Sequence, residues 1–227
     1  MAVDFLGDGV ALRSKGDIVS NDGTSFIAIP SGSNGYVLSS NSTATSGLEW
    51  IAPQTTGSEA YTSIAFTSVT ASTATVTFSS IPATYKDLEI RIVARGTEAA
   101  IASTIEMTTN TSGSYLRVSG RVQEAAINIA NTSSTESKFA LPLCIAASST
   151  TTDTFSFCKA VIHHYSNTTT GKPVEMDGYM VSVSPNNGRS AFLVGVYREP
   201  TAISQVSFTL ASGSFDVGST FQLFGVL

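Results

Sequence analysis

The sequence predicts an all-β protein, with an extended N-terminal arm of short strands and turns followed by an antiparallel, jelly-roll-like β-sandwich. Three observations lead to this prediction. Only 13% of the 227 residues are charged, against about 25% in ordinary soluble domains. Ser and Thr are abundant, and Thr favours the pleated backbone as Val and Ile do. From residue 59 onward, apolar and polar residues alternate in stretches that Gly, Asn, Ser and Pro separate.

Residues 1–58 are predicted to be an assembly arm or stalk without a core of its own. Their apolar residues come in twos and threes, separated by turn dipeptides such as Asp22-Gly23 and Asn34-Gly35. Strands this short cannot enclose a core, so we expect the arm to be buried against other chains. The residues expected to make these contacts are Phe5, Phe26, Pro30, Tyr36, Val37, Leu38 and Trp50.

Residues 59–227 are predicted to form the sandwich. Alternation is clearest over residues 73–78, 88–95 and 116–121 and is typical of half-buried antiparallel strands. Further strands are predicted over residues 63–69, 139–146, 154–165, 174–184, 191–197, 205–210 and 220–227. About ten strands with short loops favour two packed sheets, because each strand then buries one face. Residues 82–87 suggest one helical turn, and residues 124–130 suit either a short helix or a strand.

The charge pattern argues against nucleic acid and membrane partners. A net charge of −5 opposes attraction to phosphate backbones, and no cluster of Lys or Arg offsets it. No apolar run reaches the roughly 18 residues of a membrane helix, and the N-terminus lacks the pattern of a secretory signal. We therefore expect assembly in a cytosol, where Cys144 and Cys158 remain reduced, with a disulfide between them as the alternative.

Three stretches carry a resemblance to structural proteins of tailed-bacteriophage virions. The first runs from Lys15-Gly16-Asp17 through Pro30-Ser31-Gly32-Ser33-Asn34-Gly35 to Gly47-Leu48-Glu49-Trp50, and it resembles a glycine-punctuated module of tail-fibre and other virion proteins. The second, residues 78–88, is similar to the opening of β-sandwich domains that often follow this module. The third, residues 212–225, resembles their closing strand pair. The resemblance implies a virion structural protein, often trimeric, on the tail or the capsid.

The expected function is therefore a non-enzymatic one, with no cofactor, metal ion or catalytic residue. We expect a homotrimeric tail fibre or surface fibre, assembled in the bacterial host cytoplasm, whose arm binds other virion proteins and whose sandwich contacts a host-cell glycan. The alternative is a capsid decoration or cement protein that stabilises the head. A glycan depolymerase is a further alternative, since Glu175 and Asp177 lie two residues apart on one strand face.

Polar loops are the candidate recognition elements, because Asn, Ser and Thr offer adaptable hydrogen bonds to sugars and protein surfaces. Tyrosine rings beside such loops could add stacking faces. The candidate residues are Asn110, Tyr115, Asn131, Asn167, Thr169, Asn187 and Arg189.

Overall fold

The computed structural model of the protein describes residues 3–4, 11–12, 14–53, 60–110, 113–123, 126–180 and 188–227, with the backbone alone for 3–4, 11–12 and 130–135. The chain divides into two compact units, Met1–Ser58 and Glu59–Leu227. Within the described residues there is no helix, and every pairing between the strands named below is antiparallel. This confirms the predicted all-β class.

The N-terminal unit consists of two-stranded hairpins, as predicted. They pair β1 (Val3–Asp4) with β2 (Ala11–Leu12), β3 (Ile18–Asn21) with β4 (Phe26–Ile29), and β5 (Val37–Ser40) with β6 (Leu48–Ile51). Among the described side chains of this unit, Ile29 is the one that is buried. The hairpins therefore form without a hydrophobic core.

The C-terminal unit contains an eight-stranded sheet and a four-stranded sheet. Its strands are β7 (Tyr61–Ser68), β8 (Thr75–Phe78), β9 (Asp87–Ala94), β10 (Ala102–Thr109), β11 (Tyr115–Gln123), β12 (Ala126–Glu136), β13 (Phe139–Ala146), β14 (Ser156–Ile162), β15 (Lys172–Met180), β16 (Arg189–Tyr197), β17 (Val206–Leu210) and β18 (Thr220–Val226). The large sheet has the spatial order β12-β11-β16-β15-β14-β9-β18-β7, and the small sheet has the order β13-β10-β17-β8.

This strand order is that of a jelly roll, in which the chain passes repeatedly between two sheets. Strands β8, β10, β13 and β17 lie in the small sheet, and the strands between them in sequence lie in the large one. The meander β14-β15-β16 occupies the position of a single strand between β9 and β11, while β18 and β7 extend the sheet beyond β9. The large sheet is therefore wider than the small sheet that covers it.

The core lies between the two sheets and confirms the alternation predicted for β9, where Ile90 is fully buried. Aromatic rings contact each other across the gap. The centroids of Tyr115 on β11 and Phe139 on β13 are 4.7 Å apart, and those of Phe208 on β17 and Phe221 on β18 are 5.9 Å apart. Such pairs stabilise a core beyond the area that they bury.

Two glycines bring β13, an edge strand of the small sheet, close to the large sheet. A Cβ added at Gly178 would lie 2.7 Å from Sγ of Cys144, and one added at Gly195 would lie 2.7 Å from the ring of Phe139. Because β13 packs closely against β15 and β16, the hairpin β11-β12 extends beyond it. This overhang leaves part of the inner face of the large sheet beside the free edge of β13.

Two details of the fold differ from the sequence prediction, and one open alternative is decided. Residues 83–86 form a turn and bends before β9, without a helical turn. Of the helix and the strand that residues 124–130 both suit, the strand is observed from Ala126 onward as β12. Strand β10 has no counterpart among the predicted strands, although Ile105 and Met107 are buried and the residues between and beside them are polar. That alternation was the signal that could have identified it.

Candidate functional site

The outer face of the large sheet carries a cluster of exposed apolar side chains, which we call the outer apolar face. Its members are between 37% and 68% exposed. The strand register makes them neighbours: Ile127 lies opposite Val122, and Phe157 lies opposite both Tyr179 and Val93. The complete set is Val93, Val122, Ile127, Ile129, Phe157, Tyr179, Phe192 and Val194.

Phe192 belongs to the β12 side of this cluster, and on its other side it lies opposite Asp177 of β15. It lies opposite Gly120, which in turn lies opposite Ile129. A Cβ added at Gly120 would be 2.7 Å from the Phe192 ring, so the ring lies over the glycine. The apolar surface therefore continues from β12 across β11 to β16.

Charged side chains next to the outer apolar face are arranged in pairs of opposite sign. Lys159 Nζ lies 3.9 Å from Asp177 Oδ2, and Arg91 Nε lies 2.7 Å from Glu89 Oε1. Arg91 also lies over the ring of Phe224, with 4.7 Å between its Cζ and the ring centroid. These two pairs present both signs of charge, and the 61% exposed Glu175, which lies opposite Val194, adds a further carboxylate.

A second surface feature is a cleft of about 360 Å³ between the free edge of β13 and the inner face of the β11-β12 hairpin. We call it the basic cleft, because two arginines lie in its wall. Arg117 donates through Nη1 to Oγ of Ser119 and to the carbonyl oxygen of Ala140, both at 3.1 Å. The described lining residues are Thr104, Arg117, Ser119, Gly120, Arg121, Asn128, Ile129, Ala140 and Pro142.

The basic cleft exists because the polar side chains of strand β11, and not its apolar ones, lie on the inner face of the large sheet. In a half-buried strand the apolar set normally faces the core, yet here Val118 lies opposite the exposed Val194. Arg117 and Arg121 instead share the inner face with Ser119, which is opposite the buried Leu193. The overhang beyond β13 explains this, since the inner face is not covered there by the small sheet.

The candidate recognition residues do not form one site. Tyr115 is fully buried and its hydroxyl contacts the backbone NH of Thr109 at 2.9 Å, so its ring is not available for stacking and that prediction is wrong. Burial raises the pKa of the Tyr115 hydroxyl. Asn110 is also structural: its side chain bonds to the carbonyl oxygen of Ala202 and the NH of Ser204.

The remaining candidates are spread over several elements. Asn131 lies within strand β12 and not in a loop, which corrects its placement. Asn167 and Thr169 do lie in an exposed turn, where Oδ1 of Asn167 accepts from the NH of Thr169 at 2.6 Å. Arg189 begins strand β16 on the same face as Ala191, the partner of Arg121 in the register. Asn187 lies outside the described residues.

The arm residues that carry the family resemblance contact one another. Nε1 of Trp50 donates to the carbonyl oxygen of Pro30 at 2.8 Å, and the NH of Ser31 donates to Oδ1 of Asp17 at 3.1 Å. A Cβ added at Gly32 would lie 2.6 Å from ring carbons of Trp50. Glycine at this position therefore lets the indole ring lie against the backbone.

The other arm candidates are mostly exposed. Phe26, Tyr36 and Val37 are 41%, 43% and 47% exposed, Pro30 is exposed and Leu38 is half-buried. Phe5 lies outside the described residues. These side chains remain available for the predicted contacts with other chains.

We expect Gly32→Ala to displace Trp50 from its place against the backbone. The added methyl group overlaps the ring, so the hydrogen bond to Pro30 breaks and the indole becomes more hydrated. Since the chain has one tryptophan, its fluorescence emission should shift toward that of the unfolded protein. Ser33→Ala, at an exposed neighbour, should leave the spectrum unchanged. An unshifted spectrum for Gly32→Ala would contradict the contact.

Cys144 and Cys158 are both fully buried and form no disulfide. A hydrogen bond with Cys144, together with burial, raises the pKa of the Cys158 thiol well above its ordinary value. The thiolate is the reactive form, so both effects protect this thiol. The pair belongs to the core where β13 meets the large sheet.

Native protein at pH 8 should accordingly fail to react with a thiol reagent such as Ellman's reagent. The same protein in denaturing urea should release two equivalents of chromophore, one for each cysteine in the chain. Rapid reaction of the native protein would show that this part of the core opens. Cys158→Ser, which leaves one thiol, serves as the calibration in urea.

Glu175 and Asp177, the pair named for glycan cleavage, share the outer sheet face. Glu175 Oε1 lies 3.7 Å from Nε2 of His163, and Asp177 pairs with Lys159. The Glu175 and Asp177 side chains are 61% and 40% exposed. Glu175 therefore lies beside the His163 ring and Asp177 beside the Lys159 ammonium group, and both carboxylates are partly exposed on the outer sheet face.

The described residues contain no group of three or more His, Cys, Asp or Glu side chains placed to hold a metal ion. They also contain no helix that could cross a membrane. Comparisons with protein-family models, curated proteins and solved structures find no match to this chain.

Proposed function

We propose that this protein is a non-enzymatic structural subunit of a tailed-bacteriophage virion that assembles as a homotrimer. In this proposal it is a tail fibre or surface fibre, attached through its N-terminal arm, with the sandwich in contact with a host-cell glycan. The observation that carries the structural role is the outer apolar face. Clusters of neighbouring exposed apolar side chains with a polar rim commonly mark interaction surfaces.

A second copy of this chain is the proposed occupant of the outer apolar face. The flanking pairs Lys159–Asp177 and Arg91–Glu89 give the face both signs of charge, so two copies can present opposite charges to each other. A face of one sign would instead require a partner of the opposite sign. Burial against a copy also covers aromatic rings, which are enriched in protein interfaces.

The virion assignment rests on the sequence resemblance, and the structure adds support to it. The residues of the resembling module are joined by direct contacts of Trp50 with Pro30 and Gly32, so the module acts as a physical unit. The arm buries one apolar side chain among those described. An arm of this kind suits attachment to neighbouring particle proteins.

Capsid decoration is the second candidate, and the exposed Phe26, Tyr36 and Val37 of the arm favour it as much as they favour a fibre. Gold-labelled antibody against this chain separates the two roles on particles that contain it. Label on the tail supports the fibre, and label on the head supports the decoration protein. Absence of the chain from purified particles would contradict both.

The proposal assigns no catalytic role. The nearest carboxylate pair, Glu175 and Asp177, lies in exposed contacts on an open sheet face, whereas glycoside hydrolysis uses carboxyl groups that flank a bound sugar. Purified protein should therefore bind host polysaccharide without shortening it. Release of reducing ends that Glu175→Gln or Asp177→Asn abolishes would establish a depolymerase instead.

A further inference from the structure

The basic cleft has the size and lining of a small-ligand site. Its volume of about 360 Å³ falls within the range of about 300 to 1,000 Å³ that such sites occupy. Its described lining contains two arginines and no acidic residue. In a chain with a net charge of −5, this cleft is a local concentration of positive charge that attracts anions.

Arg121 supplies the donor that a ligand would use. Its Nε atom is shielded from solvent and donates no hydrogen bond to any residue that the structure describes. A buried donor without an acceptor is costly, and native proteins nearly always provide one. Arg117 is different, because its Nη1 already binds Ser119 and Ala140 and so holds the edge of β13 in place.

We propose that the basic cleft binds the carboxylate of an acidic sugar, with Arg121 as the charged contact. A guanidinium group presents pairs of N–H donors as a planar fork that matches the two oxygens of a carboxylate. A phosphate or sulfate would leave further oxygens that need additional donors. The planar acid is therefore the better match to one guanidinium.

The rest of the cleft suits a sugar ring. Asn128 lies directly opposite Arg121 in the strand register and brings an amide that can bond to hydroxyl groups. Ala140 and Pro142 on β13 provide apolar surface for the C–H face of a pyranose. These observations alone support the cleft as a binding site for an acidic sugar. Its role in binding a host surface rests on the proposed function.

One site of this kind binds weakly, with a dissociation constant on the order of 1 mM for a single sugar. Several copies on one particle would raise the avidity without any new contact. The test is a saturation-transfer NMR titration of the full chain with D-glucuronic acid. D-glucose serves as the neutral control, and inorganic sulfate and phosphate are the competing anions.

We expect D-glucuronic acid to bind and D-glucose to show no saturable binding. Arg121→Gln should weaken binding by about tenfold or more, because a charge-assisted hydrogen bond is lost. Asn128→Asp, at an exposed position where folding is not at risk, should repel the acid and abolish binding. Arg91→Gln, on the outer face, should bind as the unchanged protein does.

Equal binding of both sugars, unchanged affinity of Arg121→Gln and Asn128→Asp, or binding of sulfate or phosphate alone would overturn the proposal. Circular dichroism of each variant confirms its folding, and sedimentation of the same samples reports the oligomeric state. A monomer that binds D-glucuronic acid would contradict the proposed trimer and leave the cleft assignment standing. A trimer that does not bind D-glucuronic acid would contradict the cleft assignment and leave the proposed trimer standing.

Discussion

Introducing Glu at both Phe192 and Ile129 will dissociate the protein into monomers that keep their fold. Both side chains are exposed in the single chain, by 37% and 65%, so neither carboxylate disturbs the core. In the proposed oligomer each carboxylate would be buried on an apolar surface without a partner, which costs several kcal/mol. The dissociation constant should therefore rise at least about 100-fold.

Sedimentation velocity measures this change, and circular dichroism checks that the sheets persist. Val217→Glu is the matched control, because Val217 is 54% exposed and lies in the loop between β17 and β18, outside the large sheet. If Phe192→Glu with Ile129→Glu sediments as the unchanged protein does, the face is not the interface between copies.

Replacing Arg95 with Met will produce the largest loss of stability among the single charged-residue substitutions considered. The Arg95 residue is 7% exposed, and its Nη1 donates to Oγ1 of Thr150 and to the carbonyl oxygens of Thr151 and Thr154 at 2.9 to 3.2 Å. Its Nε also lies 3.8 Å from Oδ2 of Asp216. Methionine fills much of the volume but leaves these acceptors without a donor.

We expect Arg95→Met to lower the free energy of unfolding by about 3 kcal/mol, because several acceptors lose their bonds to a charged donor. Urea denaturation followed by circular dichroism measures the difference. The control is Lys159→Met, where the side chain is 39% exposed, its partner Asp177 is 40% exposed, and the loss should stay below about 1 kcal/mol. Equal losses for the two variants would show that the Arg95 bonds contribute little.

The sequence was sufficient for the features that depend on local alternation. On β9, every second residue is apolar and buried, as Ile90 and Ile92 are. The pattern of residues 124–130 was less informative, because it suits either a helix or the strand β12 that is observed. The β3-β4 hairpin of the arm follows equally from its turn residue Gly23, which has positive φ. These features involve residues that are neighbours in the chain.

The orientation of β11 could not be predicted in the same way. Arg117 and Arg121 alternate with apolar residues, and this pattern alone places them on an exposed face. Their position on the inner face follows from the width of the large sheet, which the meander β14-β15-β16 increases. Periodicity shows that a strand has two faces, but which one is covered depends on the partner sheet.

Contacts between residues that lie far apart in the chain could not be predicted from the sequence pattern either. Tyr115 was a candidate for the surface because a polar loop precedes it, yet its ring contacts Phe139 across the core. Arg95 ends the alternating stretch 88–95, and only the folded loop of residues 148–154 makes it a buried hydrogen-bond donor. The contact of Trp50 with Gly32 joins the end of the glycine-punctuated module to its middle, and the spacing of the residues does not indicate it.

The central claim is that this chain completes its burial by assembling with copies of itself. Sedimentation velocity of the unmodified protein, over a range of micromolar concentrations, tests that claim most directly. The account predicts a species with three times the chain mass of 23.6 kDa, present at the lowest concentrations at which the protein can be detected. A single species of one chain mass across the whole range would contradict it.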